Sequence, residues 1–315
     1  MKEYLDYNAT TPVSKKTADF MLQYLTNDYG NAGSRTHQTG SKAKKIVIES
    51  RETIASLFDA DFSEIIFTSG ATESNNLAIF GLKKYALENN KNHIITSQIE
   101  HKAILDPLKE MESQGYKVTY IPPSRSGGIS TSKIIDAISD KTFLVSIMHA
   151  NNETGVINNI NEIFSQVKDK DHEIITHSDM AQTFAKTNLD FSSKNIDMAS
   201  ISAHKFFGPK GIGALLTRKN NGKSLSLNPI MYGGGQEKGI RPGTLPVHLI
   251  AGMAHAAKES NNNCEAWFES CNQIKSSAMK AFEKLDTNIY GDFKSTLPNT
   301  LSISFSDIHA EALII

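Results

Sequence analysis

Residues 64–76 read EIIFTSGATESNN, and their pattern decides the fold class. Glu64–Thr68 (EIIFT) is a compact strand, and the Ser-Gly-Ala-Thr turn after it opens a helix read over Ser74–Leu87. Outward from this unit the alternation continues. Ile46–Phe58 reads as a helix before it. After it come a strand at His93–Thr96 (HIIT), a helix at Lys102–Ser113 and a strand at Lys117–Ile121 (KVTYI). The next pairs are helix Thr131–Ser139 with strand Thr142–Met148, and helix Ile160–Lys168 with strand Glu173–Thr176. Met198–Ile201 and Gly213–Thr217 (GALLT) are further strands. Strands alternating with helices predict an α/β fold, a mostly parallel sheet covered on both faces.

The character changes after residue 219. Lys219–Ser226 reads as a polar, exposed connection, and Tyr232–Gly243 is glycine-rich. Pro246–Met279 is mainly helical, Asn288–Tyr290 and Asn299–Phe305 read as strands of a second layer, and His309–Ile315 as the first turns of a helix. A smaller α+β domain, incomplete at residue 315, is therefore expected beside the large one.

Composition bounds the function. The chain has 315 residues, 33 basic and 34 acidic, for a net charge of −1. That balance argues against direct nucleic-acid binding, which calls for a basic excess. No apolar run approaches the ~18 residues of a membrane span, and the N-terminus lacks a signal-peptide pattern. Two cysteines, Cys264 and Cys271, are too few for a disulfide framework. A soluble, cytoplasmic globular protein is expected.

Three segments could carry chemistry together. At the helix start after Thr68, free backbone amides with Ser69, Gly70 and Thr72 make a ready phosphate site. Asp179, in IITHSDMAQ, sits just past a strand, where it could hold a proton on a heteroaromatic nitrogen. Lys205, in SISAHKFFGPKGIG (residues 200–213), precedes a glycine-rich turn and could form a Schiff base if burial lowers its pKa. His101 could stack on a planar ligand, and the Asn151–Gly155 turn could present an amide. Each alone has a bland reading: a solvated loop lysine, a plain helix cap, a surface aspartate. Their order, each at the carboxyl end of a strand, describes a pyridoxal phosphate site.

From YLDYNATTP (residues 4–12) to LPNTLSISFSDIHAEALII (297–315), the sequence resembles the cysteine desulfurases. These are class V aminotransferases among the fold type I pyridoxal phosphate enzymes. The resemblance is carried by GATESNN (70–76), EHKAI (100–104), HANNETG (149–155) and HSDMAQ (177–182). SAHKFFGPKGIG (202–213) and GGGQEKGIRPGTLPVH (233–248) complete it. It implies an N-terminal arm (1–12) joining the small domain, a large cofactor domain (13–255) and an incomplete small domain (256–315).

By position, the resemblance makes Lys205 the Schiff-base lysine and the base that takes the substrate Cα proton. Asp179 would pair with the pyridinium nitrogen, Gln182 would bond the ring hydroxyl oxygen, and His101 would stack on the ring. Ala71, Thr72, Ser202 and His204 would hold the phosphate, and Asn152 the substrate carboxylate. Thr244 would reach the phosphate of a neighbouring subunit, implying a homodimer. The implied reaction converts L-cysteine to L-alanine and an enzyme persulfide, whose sulfur passes to an acceptor protein. Iron–sulfur assembly, tRNA thiolation and DNA sulfur modification would all begin this way. No metal site is expected. The family's nucleophilic cysteine and carboxylate-binding arginine are expected beyond residue 315, and Cys264 and Cys271 are read as structural. A cofactor-binding scaffold without desulfurase activity, and a selenocysteine lyase or other class V enzyme, are the alternatives.

Overall fold

Short apolar runs become strands where both of their faces can be buried. In the computed structural model, which describes residues 3–187, 190–220 and 222–314, seven such runs form one sheet. They are β1 (Ile65–Thr68), β2 (His93–Ser97), β3 (Lys117–Ile121), β4 (Thr142–Ser146), β5 (Ile175–Asp179), β6 (Met198–Ser202) and β7 (Gly213–Thr217). The order across the sheet is β1-β7-β6-β5-β4-β2-β3. Only β7 runs antiparallel to its neighbours, so the expected mostly parallel sheet is present. Every position of these strands is buried except in the edge strand β3, where only Ile121 is.

The helices are α1 (Lys15–Thr26), α2 (Gln38–Ser56), α3 (Ala71–Phe80), α4 (Lys83–Glu88), α5 (Lys102–Ser113), α6 (Thr131–Ala137), α7 (Ile160–Lys170), α8 (Val247–Asn262) and α9 (Cys264–Phe282). Leu77, Ile104, Leu108 and Met111 pack α3 and α5 on one face of the sheet, with Ile94 and Leu144. Ile54, Phe164, Ile250 and Met253 pack α2, α7 and α8 on the other, with Ile95 and Val145. Burying each such side chain fully stabilises the fold by roughly 1.5–3 kcal/mol, so the two layers hold the sheet rigid beneath its loops.

Four expectations change. Helix α1 is an addition, begun by Ser14, whose Oγ accepts from the Thr17 amide at 3.2 Å. The single helix expected over 74–87 is two, because the Gly81 carbonyl accepts the Asn228 amide at 2.9 Å. The expected strand from Asn299 starts at Ser302, since the Thr300 amide turns back onto the Leu297 carbonyl at 3.2 Å. It becomes β11 (Ser302–Phe305), paired antiparallel with β10 (Thr287–Tyr290). The Lys219–Ser226 connection holds a small hairpin, β8 (Lys219–Asn220) and β9 (Lys223–Ser224). A short helix α10 (Ala310–Ile314) follows β11, and Ile315 of the expected helix lies outside the described residues.

The topology has one consequence for function. Strands β1 to β6 all finish at the same edge of the sheet, and β7 begins there, with Gly213 opposite both Thr68 and Ser202. A Cβ on Gly213 would sit 2.5 Å from the Ile201 carbonyl oxygen and 2.6 Å from the Gly70 Cα. Glycine at 213 is what lets the turns after β1 and β6 come together.

Candidate active site

The ends of β1, β2, β4, β5 and β6 surround one cavity of about 960 Å³. Nine of the ten sequence-derived site residues line it: Ala71, Thr72, His101, Asn152, Asp179, Gln182, Ser202, His204 and Lys205. The tenth, Thr244, does not; it is exposed, on the loop ahead of α8.

On one wall, α3 begins at Gly70, whose φ of 155° suits a residue without a side chain. The first amides of a helix have no partner within it, so those of Ala71 and Thr72 can meet an anion. Ser202 lines the same cavity, close enough that a Cβ on Gly70 would lie in ordinary contact with its Oγ, at 3.5 Å. Glu73 also lines the cavity, with both carboxylate oxygens already engaged. Its Oε2 accepts the Ser69 amide at 2.6 Å and its Oε1 the Arg241 Nε at 2.8 Å. Burial pushes the Glu73 carboxyl up, but the Arg241 and Ser69 bonds outweigh it and hold the group below its ordinary range.

The floor is Asp179, at the end of β5 and only 7% exposed. Its Oδ2 accepts from Asn75 Nδ2 at 2.8 Å and its Oδ1 from the Ala181 amide at 2.9 Å. Two donors fix the carboxylate plane while leaving lone pairs for a cationic N–H. Beside it, Gln182 donates from Nε2 to the Asn8 carbonyl at 3.0 Å, and its Oε1 is buried without a partner among the described residues.

Opposite lies Lys205. Its Nζ donates to the Asn8 carbonyl and, at 3.0 Å, to the Ala9 carbonyl. Burial lowers its pKa, with Asp179 and Asp6 opposing, which favours the neutral, nucleophilic amine. His204 is pushed down to about 4 by burial and by Lys205, Lys210 and Lys186, so it is a neutral imidazole at pH 7. Its Nδ1 meets Thr10 Oγ1 at 3.1 Å. His101 caps α5, with Nδ1 accepting the Ala103 amide at 3.1 Å. That bond puts the proton of a neutral ring on Nε2.

Sequence reasoning missed Asn8 and Asn75. The Asn8 side chain donates to the Asn152 carbonyl at 3.0 Å and to Thr300 Oγ1 at 2.8 Å, and accepts from Asn299 at 2.7 Å. These links join segments more than 140 positions apart, so no local signal announces them. Asn75 was findable, since it lies one helical turn from Ala71 on the same face.

Among the described residues, no group of three or more His, Cys, Asp and Glu side chains is arranged to hold a metal ion, and no helix is long and apolar enough to cross a membrane. Neither cysteine lines the cavity. The arrangement combines an anion site, a carboxylate for a heteroaromatic N–H and a lysine amine able to condense with a carbonyl.

The family model for class-V aminotransferases matches residues 3–314 of the chain. The cysteine desulfurase IscS of Rickettsia africae is 43% identical over 314 residues, covering 99% of this chain and 75% of that protein. Among solved structures, a NifS-like protein superposes with a TM-score of 0.94 at 37% identity, covering 99% of this chain and 84% of the other. SspA in complex with cysteine gives 0.86 at 39% identity, with 97% and 84% covered. The chain belongs to the cysteine desulfurases, and its fold is that of their fold type I relatives.

Proposed function

We propose that the protein removes sulfur from L-cysteine, giving L-alanine and a persulfide on a protein thiolate, with pyridoxal 5′-phosphate as cofactor. The observation that carries this reading is Asp179, clamped by two donors on the floor of a cavity that also receives Lys205 and the start of α3. The residues fit the cofactor. Ala71, Thr72, Ser202 and His204 offer neutral donors for its phosphate, Asp179 an acceptor for its ring nitrogen, and the orphaned Gln182 Oε1 a partner for its ring hydroxyl. His101, which also lines the cavity, covers the ring face. When bound, the cofactor supplies an electron sink for the carbon acids of amino-acid substrates.

The chain's own residues do the rest. Asn152 binds the L-cysteine carboxylate. Lys205, its pKa lowered by burial, takes the Cα proton on Nζ and then holds it between the Asn8 and Ala9 carbonyls. Asp179 keeps a proton on the ring nitrogen. A thiolate attacks the substrate sulfur; the C–S bond breaks and an S–S bond forms. Neither Cys264 nor Cys271 lines the cavity, and burial raises both above the ordinary thiol range, so neither is assigned that role.

Thr244, exposed on a loop that Arg241 ties to Glu73, supports a homodimer in which it reaches the partner's cofactor. Incubation with pyridoxal phosphate, L-cysteine and a reducing thiol tests the reading: alanine and sulfide form in equal amounts. A visible cofactor band without alanine would instead support a cofactor-binding scaffold. Faster turnover of selenocysteine than of cysteine would support the lyase.

A further inference from the structure

Glu100 is the buried acid that this mechanism leaves without a task. It precedes His101 in the turn between β2 and α5 and is 5% exposed. Its Oε1 accepts from Ser97 Oγ at 2.6 Å and from the Met148 amide at 2.9 Å. Its Oε2 is buried and has no hydrogen-bond partner among the described residues. The residue after Met148 continues the arrangement, because the His149 amide donates to the Asp179 carbonyl at 2.9 Å. Two consecutive amides past β4 therefore tie the Glu100 turn to one side and the end of β5 to the other. The strand ends that present His101 and Asp179 are joined through this link.

A carboxylate cannot rest there cheaply. Ionised, Glu100 would leave a charged oxygen buried and unpaired, which is strongly unfavourable. From β2 and the β4 loop it meets neutral donors, Ser97 and the Met148 amide. From β5 it faces the charge of Asp179. His149 adds no compensating positive charge, being held down to about 4 by burial. Of its neighbours, His101 already spends Nδ1 on the Ala103 amide.

We propose that Glu100 is a positioning residue that works as a neutral carboxylic acid: it fixes the turn presenting His101 and, by staying uncharged, leaves the negative charge beneath the cofactor ring to Asp179. The second half of this statement rests on the pyridoxal phosphate reading of the cavity; the first does not. Ionisation of Glu100 would place a second anion beside Asp179. It would drive the turn toward water, and both effects weaken the cofactor site at alkaline pH. Burial, with the Asp179 charge acting in the same direction and the Ser97 and Met148 bonds opposing, pushes the Glu100 carboxyl up to about 8.

Infrared titration of the cofactor-free protein carrying 13C-labelled glutamate tests the charge state. An un-ionised glutamate carboxyl band at pH 7 that vanishes by pH 9, and that Glu100→Gln lacks, is expected. A fully ionised glutamate signal at pH 7 overturns the proposal, and the isotope assigns the band to glutamate even if the variant does not accumulate. Pyridoxal phosphate titrations at pH 7 and pH 9 then test the consequence. If only the neutral form binds, affinity falls about tenfold more in the wild type than in Glu100→Gln, one pH unit past a midpoint of about 8. Glu100→Ala weakens binding at both pH values, and Glu100→Gln restores it. Equal falls in wild type and Glu100→Gln overturn the proposal. Failure of every protein to bind pyridoxal phosphate would contradict the cofactor reading while leaving the infrared result standing.

Discussion

Asn75 Nδ2 donates to Asp179 Oδ2 across 2.8 Å, with both residues buried and 104 positions apart in the chain. This bond joins α3, whose first amides face the cavity, to the end of β5, where Asp179 is the carboxylate proposed to meet the ring nitrogen. The start of α3 and the end of β5, both on the candidate site, are thereby held as one unit.

Asn75→Ala removes that donor and leaves Asp179 with the Ala181 amide alone. A hydrogen bond to a charged group contributes about 1.5–3 kcal/mol, so pyridoxal phosphate affinity should fall by roughly one to two orders of magnitude. Equilibrium titration of the visible cofactor band measures it. Unchanged affinity would show that the clamp on Asp179 is unimportant.

Lys186 should make stability rise with pH. It is 2% exposed, its Nζ has no hydrogen-bond partner among the described residues, and it lies 5.9 Å from the centre of the Trp267 ring. Burial, then the Lys205 charge, with Cys271 opposing, lowers its pKa from 10.5 to about 7. Between those values the unfolded chain binds the proton and the native chain does not, so stability increases with pH across that window. Lys186→Met should stabilise the protein by ~1–3 kcal/mol near pH 7 and by less near pH 10. Urea denaturation at both pH values reads the difference; a gain that grows with pH would contradict the account.

Ala185, beside it, has φ +59° and is buried. The left-handed conformation costs alanine about 1–2 kcal/mol, whereas glycine's greater freedom in the unfolded chain costs about 0.4–1 kcal/mol. The strain wins, so Ala185→Gly should raise the melting temperature by a few degrees. A lower value in thermal denaturation would show that the Ala185 methyl packs for more than its backbone strain costs.

What was legible in the sequence depended on range. Runs such as EIIFT and GALLT revealed strands because burial on both faces leaves a continuous apolar pattern. Asp179 and Lys205 were legible because chemistry collects past the carboxyl ends of strands. Helix α1 was not, since only Thr17 and Tyr24 of its 12 residues are buried and its apolar stripe is thin. The antiparallel course of β7 was also hidden, because an all-apolar strand reads alike in either direction. Asn8 was quoted within a motif, yet its links to Asn152, Gln182, Asn299 and Thr300 belong to tertiary structure.

The central claim is that Lys205 is the lysine that holds pyridoxal phosphate. Borohydride reduction of the protein with pyridoxal phosphate, followed by peptide mass mapping, tests it most directly. A single pyridoxyl phosphate adduct on Lys205, absent from Lys205→Ala, is the predicted result. An adduct on Lys210 or Lys186 instead, or none at all, would contradict it.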